Sequence, residues 1–87
     1  MKNVIVHERV VRLRPDLTEE DVLSAWKNIL SSFTRTWTGQ RECVAVGVDN
    51  NGRLIEMIAL RTENGSMLIY HALTPPTKKV LKEMRMV

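Results

Sequence analysis

The stretch RECVAVGVDNNGRLIEMIALRTENGSMLIYHAL, residues 41 to 73, limits what this chain can become more than any other part of it. Three runs rich in Val, Ile, Leu and Met are separated by DNNG and ENGS, and Asn and Gly tolerate the positive φ that tight turns demand. The reading is an antiparallel meander with strands near 41–48, 53–61 and 67–73. Two-residue turns at Asn50-Asn51 and Asn64-Gly65 pair Val48 with Arg53, Val46 with Ile55 and Val44 with Met57, then Thr62 with Met67, Ala59 with Tyr70 and Ile58 with His71. Side chains alternate between faces. One face then carries Arg61 and Tyr70 among apolar residues, and the other carries Glu56 and His71 as diagonal neighbours, roughly 7 Å apart at Cβ. Both faces are largely apolar, so the second must meet the terminal helix, the N-terminal segment or a partner protein.

The flanking segments supply helices. In LTEEDVLSAWKNILSSF, Thr18 is an N-cap, Asp21 stands where a capping box needs its acid, and Glu19, Glu20 and Asp21 suit the positive end of the helix dipole. Val22, Ala25, Trp26, Ile29, Leu30 and Phe33 recur at helical spacing, which predicts a helix from Thr18 to Phe33. TPPTKKVLKEMRMV reads as a closing helix capped by Thr74, with Pro75 and Pro76 in its first turn and Val80, Leu81, Met84 and Val87 on one side. VIVHERVVRLR fits either a strand or a short helix, and Pro15 ends both. The expected fold is a small α+β domain: an N-terminal helix or strand, a helix, a three-stranded antiparallel meander and a C-terminal helix.

Length and composition narrow the function. The chain has 87 residues, enough for one domain, 1–87. No apolar run approaches the roughly 20 residues of a membrane span, and MKNVIVHERV, with charges inside its apolar stretch, does not read as a signal peptide. Cys43 is the single cysteine, so no internal disulfide forms, and with only His7 and His71 beside it a structural zinc site is not expected. There is no Gly-rich phosphate loop and no nucleophile elbow. The expectation is a soluble cytoplasmic domain without metal or cofactor. The formal charge is +3, and Lys78, Lys79, Lys82 and Arg85 against Glu83 carry the whole excess within residues 75–87. Such a basic tail attracts phosphate, and it is also an ordinary solvated helix face.

Several side chains are candidates for chemistry, each with a plain structural alternative. His71 is a general acid or base, or a half-buried strand histidine bonded to Glu56. Arg61 and Tyr70 hold a phosphate and stack on a base, or the arginine lays its stem on the ring. Lys78, Lys82 and Arg85 form one helix stripe, and Lys78 and Lys79 occupy a first turn whose dipole repels cations; a polyanion accounts for both, as snorkelling lysines do for the stripe alone. Trp37, between Arg35 and Arg41, stacks on bases, anchors a protein partner or folds onto the core. Cys43 reads as a small buried apolar residue.

The whole-chain pattern resembles small bacterial domains related to BrnT toxins. VHERVVRLRPDLTEEDVLSAW resembles their histidine-led short helix and following helix start, with matching spacing from His7 to Thr18. VGVDNNGRLIEMIALRTENGSMLIYHA resembles their paired hairpins, and LTPPTKKVLKE their closing basic segment. The family's first helix usually has arginines four and eight residues after its histidine; here those positions are Val11 and Pro15, and the arginines are Arg9, Arg12 and Arg14. The resemblance implies a RelE-like fold, metal-independent RNA cleavage, neutralisation by a cognate antitoxin and DNA binding by the joint complex. It leaves a homodimer open. It implies that Arg61 stabilises the phosphate, His71 or His7 moves the proton, Tyr70 stacks on a base, Lys78 and Lys79 hold the backbone, and the second apolar sheet face receives the antitoxin. The leading expectation is therefore a toxin-like endoribonuclease. Its rivals are a non-catalytic interaction domain that uses an apolar sheet face and the basic helix, and a domain whose ancestral site has decayed.

Overall fold

The structure, a computed structural model, describes residues 3–36 and 41–85, so Trp37 and Val87 lie outside the described residues. The elements run β1 (Val4–Val6), α1 (Glu8–Leu13), α2 (Glu19–Lys27), β2 (Ile29–Arg35), β3 (Glu42–Val48), β4 (Leu54–Arg61), β5 (Met67–Leu73) and α3 (Lys78–Glu83). They form a small α+β globule around a five-stranded mixed sheet of order β1-β5-β4-β3-β2. The expected meander is its centre. Two edge strands extend it: β1 pairs parallel with β5, and β2 antiparallel with β3. The ambiguous N-terminal segment is both things in turn, a strand and then a short helix capped by His7.

The predicted helix over Thr18–Phe33 is corrected by the structure. Its start holds: Thr18 Oγ1 accepts from the Asp21 N–H, and the Asp21 carboxylate accepts from the Thr18 N–H, each at 3.0 Å. It ends at Lys27, where the Asn28 side chain donates to the Ser24 carbonyl. Ile29, Leu30 and Phe33 fit helical spacing, but they fall within a strand. The cause is the neighbour. Val44, Ala45 and Val46 on β3 are fully buried, and an unpaired backbone edge beside them would leave polar groups without partners. ILSSFTR, with β-branched, aromatic and hydroxyl side chains, satisfies that edge. Leu30 is 59% exposed as a result.

The expected register is also corrected. Val48 lies opposite Leu54, Gly47 opposite Ile55 and Val46 opposite Glu56, one residue from the expected pairing. Both turns hold three residues instead of two. Asp49 N–H reaches the Arg53 carbonyl and Thr62 N–H the Ser66 carbonyl, with Gly52 (φ 80°) and Gly65 (φ 86°) closing the loops in the left-handed region. The second hairpin starts with the same slip, Arg61 opposite Met67. A bulge at Tyr70 then removes it, so Ile58 does face His71 as expected.

Two cores result. Ala45, Ile55, Met57, Ala59, Ile69 and Ala72 pack under Val22 and Ala25 of α2 together with Val6, Val10 and Leu17. On the reverse face Val44, Val46, Leu54 and Ile58 meet Val80 and Met84 of the closing helix. Both faces thus carry helices, and α3 occupies part of the face expected to receive a partner. The cap of α3 is Thr77, not Thr74, whose hydroxyl instead donates to the Leu54 carbonyl at 2.7 Å. No helix among the described residues is long and apolar enough to cross a membrane.

Candidate functional site

The site grows from Glu56. Its position in mid-strand buries it to 3% exposure, and a buried carboxylate persists only if its oxygens are satisfied. Oε1 accepts from the Thr77 N–H at 2.9 Å and the Thr77 hydroxyl at 2.8 Å; Oε2 lies 2.7 Å from His71 Nε2. Burial by itself would raise the carboxyl's pKa. The bonds from His71 and Thr77 outweigh it and hold Glu56 below the usual carboxylate range. An ionised carboxylate only accepts, so the proton on His71 sits at Nε2 and its Nδ1 is left as the basic nitrogen. Glu56 therefore does two jobs: it fixes one tautomer of His71, and it anchors the start of the lysine-bearing helix.

The bulge sets Tyr70 beside this pair. Its hydroxyl donates to the Glu42 carboxylate. Burial and that carboxylate push the phenol's pKa up to about 12, against opposing charges on Arg35 and Arg9, so Tyr70 stays protonated. A hollow of about 390 Å³ opens between β5 and α1, lined by Arg9, Leu13, Arg14, Tyr70 and His71. Val10, buried to 2%, pins α1 against β5, and the two arginines flank the opening. Sequence reasoning noticed Arg9 and Arg14 only as departures from a pattern. The residue that places them is Val10, the one buried residue of α1, and Val11 and Leu13 beside it are equally apolar, so the sequence does not single out that side.

The remaining candidates are dispersed. His7 caps α1, with its Nδ1 accepting from the Arg9 N–H at 3.0 Å, and it does not line the hollow. Lys78, Lys79, Lys82 and Arg85 are exposed; Lys78 and Lys79 immediately follow Thr77 and so stand one carboxylate away from His71, outside the hollow's wall. The expected sharing of a face by Arg61 and Tyr70 is contradicted by the register. Arg61 lies on the Ile55, Met57 and Ala59 side, whereas Tyr70 reaches Glu42 on the other. Arg61 lines a different hollow with Arg41, Cys43, Thr34, Thr36 and Met67. Cys43 is half-buried rather than fully buried, and burial pushes its thiol's pKa up. Among the described residues no three His, Cys, Asp or Glu side chains are grouped to share a metal ion.

The same carboxylate ties the site to stability. Glu56, and Asp49 with its bonds from Arg53 and Asn51, both ionise at lower pH in the folded chain than their ordinary values of 4.5 and 3.8. For each, burial is the largest influence and acts the other way, but the hydrogen bonds prevail. A folded pKa below the unfolded one gives stability above the unfolded pKa that is lost as pH falls through the folded value. The melting temperature is expected to decline as pH drops below about 4.5, and less steeply in Glu56→Gln. A series of thermal melts from neutral pH to about pH 3 checks this, and parallel curves for the two chains would remove Glu56 as a cause.

Comparison of the chain with protein-family models, with curated proteins and with solved structures finds no match.

Proposed function

We propose that this chain is a toxin-like endoribonuclease that cleaves RNA without a metal ion and is neutralised by a partner antitoxin. The observation that carries the reading is the imidazole of His71, held by a buried carboxylate at the wall of a hollow flanked by two arginines. Cleavage through the 2′-hydroxyl needs a base, a counter-charge for the phosphorane and a proton for the leaving 5′-oxygen. His71 Nδ1 takes the 2′-hydroxyl proton, Glu56 stabilises the imidazolium that forms, and the imidazolium returns the proton to the leaving oxygen. Arg9 and Arg14 supply the positive charge that the sequence reading assigned to Arg61. The Tyr70 ring offers a face for a base, and Lys78 and Lys79 extend the positive field along the RNA backbone. The resemblance to BrnT-like toxins supports the same chemistry, and with it an antitoxin and DNA binding by the pair.

Glu56→Gln tests the central pair. Glutamine still accepts from Thr77, but its amide offers hydrogens to His71 Nε2 and favours the wrong tautomer. Cleavage is expected to fall by about 100-fold or more while the fold persists, with imidazole nitrogen shifts reporting that the proton has moved to Nδ1. Unchanged cleavage would remove the pair from the chemistry. Failure of the purified chain to cut RNA, with or without ribosomes, and normal growth on its induction in bacteria would end the nuclease reading. The rival interaction-domain reading draws on the exposed stripe of Lys78, Lys82 and Arg85. It expects charge removal there to weaken binding in a salt-dependent way with no turnover to lose.

A further inference from the structure

We propose a second site, remote from His71, that binds a phosphate group through Arg41 and Arg61. It lies on the sheet face that α2 covers, beyond the end of that helix. The pairing of β3 with β4 sets Glu42 opposite Leu60, and continuing it by one residue sets Arg41 opposite Arg61. Arg35 opposite Glu42 in the β2 pairing likewise brings Thr36 beside Arg41, while Met67 lies opposite Arg61. Extended one residue past the ends of β2 and β3, the row reads Thr36, Arg41, Arg61, Met67, with Thr34 and Cys43 in the row behind. These six residues line a hollow of about 490 Å³.

Two like charges directly across a ladder repel, and natural sheets usually oppose them with acids. Elsewhere this chain pairs arginines with carboxylates from helices or a turn. Arg35 bonds Glu83 at 2.6 Å, and Arg53 bonds Asp49 and Asp21 at 2.8 and 3.0 Å. Arg41 and Arg61 have no carboxylate within ion-pair reach among the described residues; Glu63, beside them in an adjoining hollow, makes none. The remaining polar lining is two threonine hydroxyls and a thiol that burial keeps protonated, though Arg61 acts against it, so nothing negative faces the arginines from within. Two planar guanidinium forks with hydroxyl donors between strands suit a tetrahedral oxyanion, and such an anion offsets the repulsion between the two cations.

This site is independent of the cleavage reading, and the test keeps them apart. The whole chain is titrated with inorganic phosphate and with a ten-nucleotide 2′-O-methyl RNA, which lacks the hydroxyl that cleavage needs, against chloride at matched ionic strength. Arginine Nε–H resonances are followed. Saturable shifts of Arg41 and Arg61 are expected, weakened about tenfold in Arg41→Gln or Arg61→Gln, less so in Arg61→Lys, and preserved in His71→Gln. Tighter binding of the oligonucleotide than of phosphate identifies a backbone phosphodiester as the ligand, and equal binding identifies a free phosphate group. Shifts that chloride reproduces, or saturable phosphate shifts at the backbone N–H of Thr36 and Cys43 that persist in the Arg41→Gln/Arg61→Gln double variant, overturn the site.

Discussion

His71→Gln is expected to lower the rate of RNA cleavage by about 10²- to 10⁴-fold and to move the melting temperature by only a few degrees. Glutamine is chosen because its amide can still donate to the Glu56 carboxylate, so the buried acid keeps a partner and the anchor of α3 on Thr77 is undisturbed. The side chain of His71 is 34% exposed, which limits the packing lost. What glutamine lacks is a nitrogen able to take up and return a proton. His71→Ala sharpens the test, because it leaves space into which free imidazole can enter. Partial recovery of cleavage with added imidazole points to proton transfer at that position. Loss of the folded state in both variants, or full cleavage in either, would show that His71 serves the sheet and not the reaction.

The proximity of Glu56 and His71 was legible from the sequence because two errors cancelled. Turns read as two-residue loops close on three, since Asp49 Oδ1 accepts from both Asn51 and Arg53 N–H and draws the loop out by one position. A slip of one residue flips a side chain to the opposite face. It separated Arg61 from Tyr70, and only the bulge at Tyr70 returned His71 to the row of Ile58. Nothing in MLIYHAL marks a bulge, because no glycine or proline interrupts it. The start of α2 was legible because a capping box is local chemistry. Its end was not, because β2 exists to satisfy the edge of β3, and that requirement is tertiary. Thr77 as the cap of α3 was hidden in the same way: its hydroxyl both donates to Glu56, 21 residues away on β4, and accepts from the Val80 N–H.

Gly47→Ala is expected to be the most destabilising single-methyl change among the described glycines. A Cβ at Gly47 would stand 2.0 Å from the Ala25 carbonyl oxygen and 2.8 Å from its carbon, well inside van der Waals contact. Both sides of that contact are backbone. Ala25 O also accepts from the Asn28 N–H at 3.1 Å, and the Asn28 carbonyl accepts from Val48 N–H at 3.1 Å, so the end of α2 is stitched to β3 beside the glycine and cannot yield independently. Relief requires lifting α2 off the sheet, away from Ala45, Ile55 and Met57. Overpacking of a core costs roughly 1–3 kcal/mol and more where backbone must move, so about 3 kcal/mol is expected here. At about 4–8 °C per kcal/mol for a domain of this size, the melting temperature falls by about 12–24 °C. Gly52→Ala and Gly65→Ala provide the contrast. Neither meets an atom within 4 Å, but both hold positive φ, so each should cost about 1–2 kcal/mol. Thermal melts of the three variants measure the difference. A Gly47→Ala chain as stable as either turn variant would mean that α2 does not lie against β3 at this distance.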